Sequence, residues 1–323
     1  MKAAILHAPE DLRIEDVPIP AMDEESILVK IHKASICGST DYNVFKGWYQ
    51  KINPSLKYPH IMGHEASGEV IEVGENVKGI KVGDRVAWGG IMEGAFAEFI
   101  SIKPRKTFIT KLSENLSYEE GTLLEPLYGV LRGIYSLRMR AGDRVMVLGC
   151  GPIGLIFIQC IRLSMAREII GIDLYERRLL KALELGADIT INPNLEPEWY
   201  KGIGEVDVVI DTTGSAGGNL IDIGVEILKP GGKYMIYGHP MEKTSFTPMK
   251  LSSKGVDIVG VLADFQESQR MMELAERLVS KGLIDLKRLI SHRIKLEEIV
   301  DWIRLCGERK EEVLKVVIDI ETF

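Results

Sequence analysis

Apolar residues recur through the first third of the chain in short runs: Lys2 to Leu6, Leu12 to Val17, Ile27 to His32, Gly68 to Val73, Arg85 to Ala87 and Ala97 to Ser101. Turn-forming stretches such as Gly74-Glu75-Asn76 and Val82-Gly83-Asp84 separate them, a spacing that predicts short strands of an all-β barrel. Ser117-Tyr118-Glu119-Glu120 then reads as a capping box opening a helix. Glu125-Pro126 leads into a second helical run over Leu127 to Leu137, because proline starts a helix but is not tolerated inside one. Beyond it the pattern becomes an alternation. Strands are expected at Val145 to Leu148, Glu168 to Ile172, Ile189 to Ile191, Val206 to Ile210, Lys233 to Tyr237 and Val256 to Val261. Helices are expected over Glu176 to Leu185, stopped by Gly186, and Gly218 to Leu228, ended by Pro230-Gly231-Gly232. Such alternation predicts a doubly wound parallel sheet. Helices Gln266 to Lys281 and Leu296 to Cys306 and a last strand near Val316 to Ile320 close the chain, and this tail is expected to rejoin the first domain.

The most specific local signal runs from Arg144 to Asp173. A buried strand ends in Gly149-Cys150-Gly151-Pro152-Ile153-Gly154, which fits G-x-G-x-x-G. The three glycines serve a tight turn, a close backbone approach to a pyrophosphate, and close packing of helix on strand, with the phosphates at the helix N-terminus. Pro152 suits the first helical position, where its missing N–H is not needed. Asp173 ends the next strand about 20 residues past the last glycine, where a carboxylate accepts ribose hydroxyls and repels a 2′-phosphate; NAD is therefore expected over NADP. A similar unit without a ligand is the alternative. No charged side chain lies between Arg144 and Arg162, yet Gly-x-Gly-Pro interrupts the run, so it reads as buried core rather than a membrane span. The expected fold class is α/β plus β: a β-barrel domain over 1–121 and 263–323, and a Rossmann domain over 122–262.

With 323 residues and 46% apolar composition the chain has enough core for two domains. Charged residues make up 27% and the net charge is −7, which argues against nucleic acid or an anionic membrane as partner. His7, Pro9, Glu10 and Asp11 follow Met1 to Leu6 at once, unlike a secretory leader, so the cytoplasm is expected. Cys37, Cys150, Cys160 and Cys306 form no C-x-x-C pair and suit reduced thiols.

A second constellation lies in the first domain. Cys37-Gly38-Ser39-Thr40-Asp41 is followed downstream by Gly63-His64-Glu65. A catalytic zinc takes three protein ligands and keeps one position open, and thiolate, imidazole and carboxylate are all acceptable donors. Cys37, His64 and one of Glu65 or Glu125 would satisfy it, with Asp41 placed to hold the far ring N–H of His64. The plainer reading is a core cysteine and a satisfied polar histidine.

Together the two constellations resemble the zinc-dependent medium-chain alcohol dehydrogenase family. The matching pieces are the I-C-G-S-T-D setting of Cys37, Gly63 to Gly68 followed by Val73-Gly74, Val82 to Val86, Gly94 to Phe99, Glu125-Pro126-Leu127 and Val147 to Gly154, in family order over most of the chain. Glu125-Pro126-Leu127 is similar to the polyol (sorbitol-like) and threonine dehydrogenase branches. The resemblance implies a GroES-like catalytic domain beside the Rossmann domain, one catalytic zinc on Cys37 and His64, and Glu65 and Glu125 as third or exchanging ligands. It implies NAD on Gly149, Gly151, Pro152, Ile153 and Gly154, with Asp173 at the ribose, Arg178 flanking the adenine, and Thr212, Gly238 and Leu262 on the nicotinamide side. It further implies a homo-oligomer of two or four chains, a cleft at the carboxyl ends of the sheet strands between the domains, and oxidation of a polyol or sugar-derived alcohol with zinc as Lewis acid. Thr40 or Ser39 would pass the proton outward.

The chain also departs from the family pattern. Trp88 to Glu93 runs almost directly into Gly94-Ala95-Phe96, so the lobe that carries four cysteines and a structural zinc is missing. The cysteine turn holds one extra residue, and the position that often bears a relay histidine is Asn43. Ala263-Asp264 stands where polyol members often place an arginine, which tells against sorbitol itself. Two rivals remain: a zinc-free quinone or enoyl reductase on the same fold, and a dinucleotide-binding sensor without turnover.

Overall fold

In the computed structural model, which describes the chain except residues 53–56, 196–197, 215–219, 240–243, 262–263, 309, 311 and 321–323 and the side chain of Ile52, two units are distinguished. One comprises Met1–Gly129 with Asp264–Phe323, the other Val130–Ala263. The division falls within the helix Leu124–Leu137.

The spine of the first unit is the strand Ile27–Ile36, whose apolar residues Ile27, Val29, Ile31, Ala34 and Ile36 are all buried. It pairs antiparallel with Glu65–Val73, with Lys315–Asp319 and with Phe99–Ile102. Ile290–Lys295, Arg85–Gly89 and Phe108–Lys111 complete a seven-stranded sheet. A smaller sheet joins Asp11–Asp16, Lys2–Ala8 and His60–Ile61. One core, holding Phe45, Val70, Trp88, Phe96, Val316 and Ile303 among others, fills the space between the main sheet and the helix Ile299–Gly307. Burying Trp88 and Phe96 completely supplies much of the drive for this packing.

The second unit is a six-stranded parallel sheet. Its order is Ile189–Ile191, Glu168–Ile172, Arg144–Leu148, Val206–Asp211, Leu228–Ile236, Asp257–Val259, so the third, second, first, fourth, fifth and sixth strands in chain order lie side by side. This is the doubly wound order, and the direction of winding reverses between Arg144–Leu148 and Val206–Asp211. Its central strands are buried on both faces, which is why Val145 to Leu148 and Val208 to Ile210 read as unbroken apolar runs.

Several elements differ from expectation. Ile27–Ile36 and Glu65–Val73 are longer than their apolar runs, because the polar residues Lys33, Ser35, Glu65 and Ser67 also pair across the ladder. The helix expected from Leu127 begins at Leu124, with Pro126 in the first turn, where no backbone donor is required. Pro230-Gly231-Gly232 does not end a helix before a strand. It lies within Leu228–Ile236 as an irregularity, between the pairs Val206 with Leu228 and Val208 with Lys233. The helix expected over Gly218 to Leu228 is seen as Leu220–Ile227, and its first residues lie outside the described ones. The last strand expected to Val261 is only Asp257–Val259. Asp264, marked as a departure in the sequence, caps the helix Phe265–Ser280 through a 2.9 Å bond from the Glu267 N–H to its Oδ1. Asp264→Ala should therefore lower unfolding stability by about 1 kcal/mol in urea titrations, while Asp264→Ser should retain most of it.

Candidate metal centre and coenzyme turn

Adjacent strands of the first unit deliver the metal candidates. Cys37 directly follows Ile27–Ile36, His64 directly precedes Glu65–Val73, and Lys315 opens Lys315–Asp319. The register sets Ser35 opposite Glu65 and Val316 opposite Ile36, which gathers these ends in one place. The ligand atoms of Cys37, His64 and Glu65 lie within 4.8 Å of one another.

Asp41, in the first turn of the helix Thr40–Phe45, ties two of them. Its Oδ1 lies 3.0 Å from His64 Nδ1, and its Oδ2 accepts the Cys37 backbone N–H at 2.8 Å. With Nδ1 engaged, Nε2 is the ring nitrogen free to meet a metal. Burial disfavours charge on this ring, but Asp41 and then Cys37 outweigh it and hold the His64 pKa well above 6.5. Ser39 and Thr40 lie at the start of the same helix, partly exposed, whereas Asn43 is buried in it.

Glu65 is buried and its charge is met by Lys315, whose Nζ donates to Oε1 at 2.6 Å, to Oε2, and to the Ile36 carbonyl oxygen at 3.3 Å. The Ser35 hydroxyl also donates to Oε2. Sequence reasoning passes over Lys315 and Ser35. The available signal is a lysine at the head of an apolar strand, since lysines go inside only with a partner. Glu125 lies in the first turn of Leu124–Leu137 and outside the 4.8 Å group. Burial pushes its carboxyl up to about 7, against the pull of His64 and with a further push from Glu65. Thiol, imidazole and three carboxyl groups thus crowd around one lysine. The three donors Cys37, His64 and Glu65 suit zinc.

In the second unit the motif turn stands where the winding reverses. Gly149 has φ +91°, and its N–H donates to the Ile172 carbonyl oxygen at 2.8 Å. A Cβ on Gly154 would lie 1.8 Å from the Gly149 carbonyl oxygen, so helix and strand approach at a distance only glycine permits. Gly151 caps the helix Pro152–Leu163, with open space where its Cβ would be; Pro152 and Ile153 follow, partly exposed. That open space leaves room for a phosphate at the helix N-terminus. Asp173 is held by the N–H groups of Cys150, at 2.8 Å to Oδ2, and Tyr175, at 3.0 Å to Oδ1, while Arg178 comes within 4.0 Å of Oδ2 and lies over the Tyr175 ring. Thr212 donates its hydroxyl to the carbonyl oxygens of Gly149 and Leu148, at 2.9 and 3.0 Å. Asp211 accepts from Thr213 and from the Tyr234 hydroxyl, and its carbonyl accepts the Gly238 N–H at 2.9 Å. Leu262 lies outside the described residues.

The missing lobe has a simple structural counterpart. Residues 90–94 alone join the strand Arg85–Gly89 to Ala95, whose N–H bonds the Gly63 carbonyl oxygen at 3.0 Å. All four cysteines of the chain are free and fall two to each unit, Cys37 and Cys306 in the first and Cys150 and Cys160 in the second, so neither unit holds a four-cysteine set.

Comparison with known proteins gives consistent matches. The family described as alcohol dehydrogenase GroES-like domain matches residues 23–113, and that described as zinc-binding dehydrogenase matches 152–279. Sorbitol dehydrogenase of Homo sapiens is 32% identical, over 92% of this chain and 90% of that protein. Among solved structures, 2R,3R-butanediol dehydrogenase from Bacillus subtilis superposes with a TM-score of 0.85 at 27% identity, covering 98% of this chain and 99% of that one. A zinc-binding dehydrogenase from Sinorhizobium meliloti 1021, bound to NADP, reaches 0.87 at 26% identity and 98% of each chain. No helix among the described residues is long and apolar enough to cross a membrane. The chain belongs to the zinc-dependent medium-chain alcohol dehydrogenase family, in its polyol branch, and is an alcohol oxidoreductase that works with zinc and a nicotinamide coenzyme.

Proposed function

We propose that the protein reversibly oxidises a polyol or sugar-derived alcohol to the ketone or aldehyde, with NAD as hydride acceptor and a single zinc per chain held by Cys37, His64 and Glu65. The observation that carries this reading is the gathering of those three donors within 4.8 Å, with Asp41 bound to both the ring and the cysteine turn. A zinc-free reductase has no need of such a group. Zinc supplies Lewis acidity toward a substrate oxygen, and the nicotinamide accepts the hydride. The chain's own work is to place and charge these partners. Asp41 fixes the angle of His64 by engaging Nδ1, so that Nε2 is the nitrogen left to meet the metal once its proton departs. Glu125, with its pKa near 7 and outside the tight group, stands as an exchanging carboxylate. Thr40 Oγ1 or Ser39 Oγ, partly exposed beside Cys37, takes the substrate proton and passes it to water, since Asn43 cannot titrate.

In the second unit, Gly149, Gly151, Pro152, Ile153 and Gly154 receive the pyrophosphate, and Asp173 receives the adenosine ribose with Arg178 beside the adenine. Thr212, Gly238 and Leu262 are assigned to the nicotinamide side. Two backbone N–H groups pin the Asp173 carboxylate, so it cannot swing away from an incoming 2′-phosphate. The reading also takes in a homo-oligomer, on family resemblance, and a cytoplasmic setting, with the GroES-like part of the chain as catalytic domain.

Cys37→Ser and His64→Ala should each abolish turnover across a panel of alcohols while leaving NADH binding within about threefold, as read by coenzyme fluorescence; full activity in either variant contradicts the assignment. Zinc uptake must displace the proton that Asp41 helps His64 keep, so affinity measured by chelator competition should weaken steadily as pH falls. Asp41→Asn should lower that affinity by about 10–100-fold and flatten its pH dependence, because a buried imidazole without Asp41 is already neutral. NADH should bind at least about tenfold more tightly than NADPH, and equal affinities would remove Asp173 from its assigned role.

A further inference from the structure

Lys315 is 3% exposed and Glu65 1% exposed, so the pair is wholly removed from water. Two ions buried together repay their desolvation only when every donor and lone pair is used. The lysine meets that condition: its N–H groups go to both Glu65 oxygens and to the Ile36 carbonyl oxygen. On the carboxylate side the arithmetic is tighter. An ionised carboxylate has about four lone-pair sites, two on each oxygen. Lys315 takes one on each, and the Ser35 hydroxyl takes the second on Oε2. One site remains, on Oε1, beside a fixed positive charge.

We propose that Lys315 is a positioning residue that restrains Glu65, leaving it a one-pronged, weakened donor so that the metal is held less tightly than the donor set would otherwise hold it. This rests on the metal-centre reading above. It also gives that centre a property catalysis needs: a catalytic zinc must keep a position that substrate oxygen can occupy, and a carboxylate with both oxygens free could fill it. Charge works in the same direction as geometry. An ammonium bonded to a ligand repels the incoming cation, and removing it cannot weaken cation binding electrostatically.

The test compares wild type with Lys315→Met, which keeps length and apolar bulk, Lys315→Arg, which keeps charge, and Ser35→Ala, which frees one Oε2 site. Zinc affinity is read by competition with a chromophoric chelator, and coordination by the visible absorption of the cobalt(II)-substituted proteins. Lys315→Met should bind zinc at least about tenfold more tightly with a changed cobalt spectrum, Lys315→Arg should stay within about threefold of wild type with the spectrum unchanged, and Ser35→Ala should fall between. A purely structural ion pair predicts the opposite sign, since disorder around Glu65 loosens the metal, and unchanged or weaker zinc binding in Lys315→Met overturns the proposal. Should that variant not fold, Ser35→Ala decides: tighter binding supports restraint, and unchanged or weaker binding refutes it. Metal analysis of wild type separates the two levels. Wild type that takes up no zinc removes the metal centre and this proposal together, whereas stoichiometric zinc with no gain in the variants removes the proposal alone.

Discussion

A carboxylate taken out of water must be answered by donors, and Asp41 is answered by two that matter: the ring of His64 and the backbone N–H of Cys37. This single interaction joins the end of one strand to the start of its neighbour and sets the imidazole in one tautomer. Without it the half-buried thiol and the buried ring would each be an ordinary side chain. The contact is short in space and long in sequence. It exists because Ile27–Ile36 and Glu65–Val73 pair in a register that brings their ends together.

The same register explains which parts of the site were legible beforehand. Cys37, His64, Glu65 and Asp41 sit in local sequence settings with recognisable donor chemistry, and the sheet does bring the first three within 4.8 Å. Lys315 and Ser35 are different. Their roles depend on a strand from the far end of the chain lying against Ile27–Ile36, and nothing near Lys315 in sequence reports that neighbour. An out-of-pattern charge in an apolar strand was the clue, but the clue names no partner. Glu125 was legible as a residue of the right chemistry, while its separation from the tight group is a matter of helix placement that no spacing encodes.

For the fold, the alternating strands and helices of the second unit were legible because its central strands, Arg144–Leu148, Glu168–Ile172 and Val206–Asp211, are buried and so appear as apolar runs. The first unit was harder. His60–Ile61 and Phe108–Lys111 are too short to show a period, and the polar ends of Ile27–Ile36 and Glu65–Val73 look like loops until their partners are known. The irregularity at Pro230-Gly231-Gly232 shows the converse: residues that read as the stop between a helix and a strand lie inside a strand whose ladder resumes on either side of them.

Asp211 and Thr212 carry a consequence for how this unit can change over time. Thr212 grips the motif turn after one strand, and Asp211 grips the segment after another through Gly238, with Tyr234 closing the ring from inside the sheet. Three connecting segments are therefore cross-tied at a common edge, and none can be remodelled without disturbing the other two. Exchange of one loop for another taken from a relative would transplant successfully only as a set, so this edge of the sheet is expected to be inherited as a block while the outer helices drift freely.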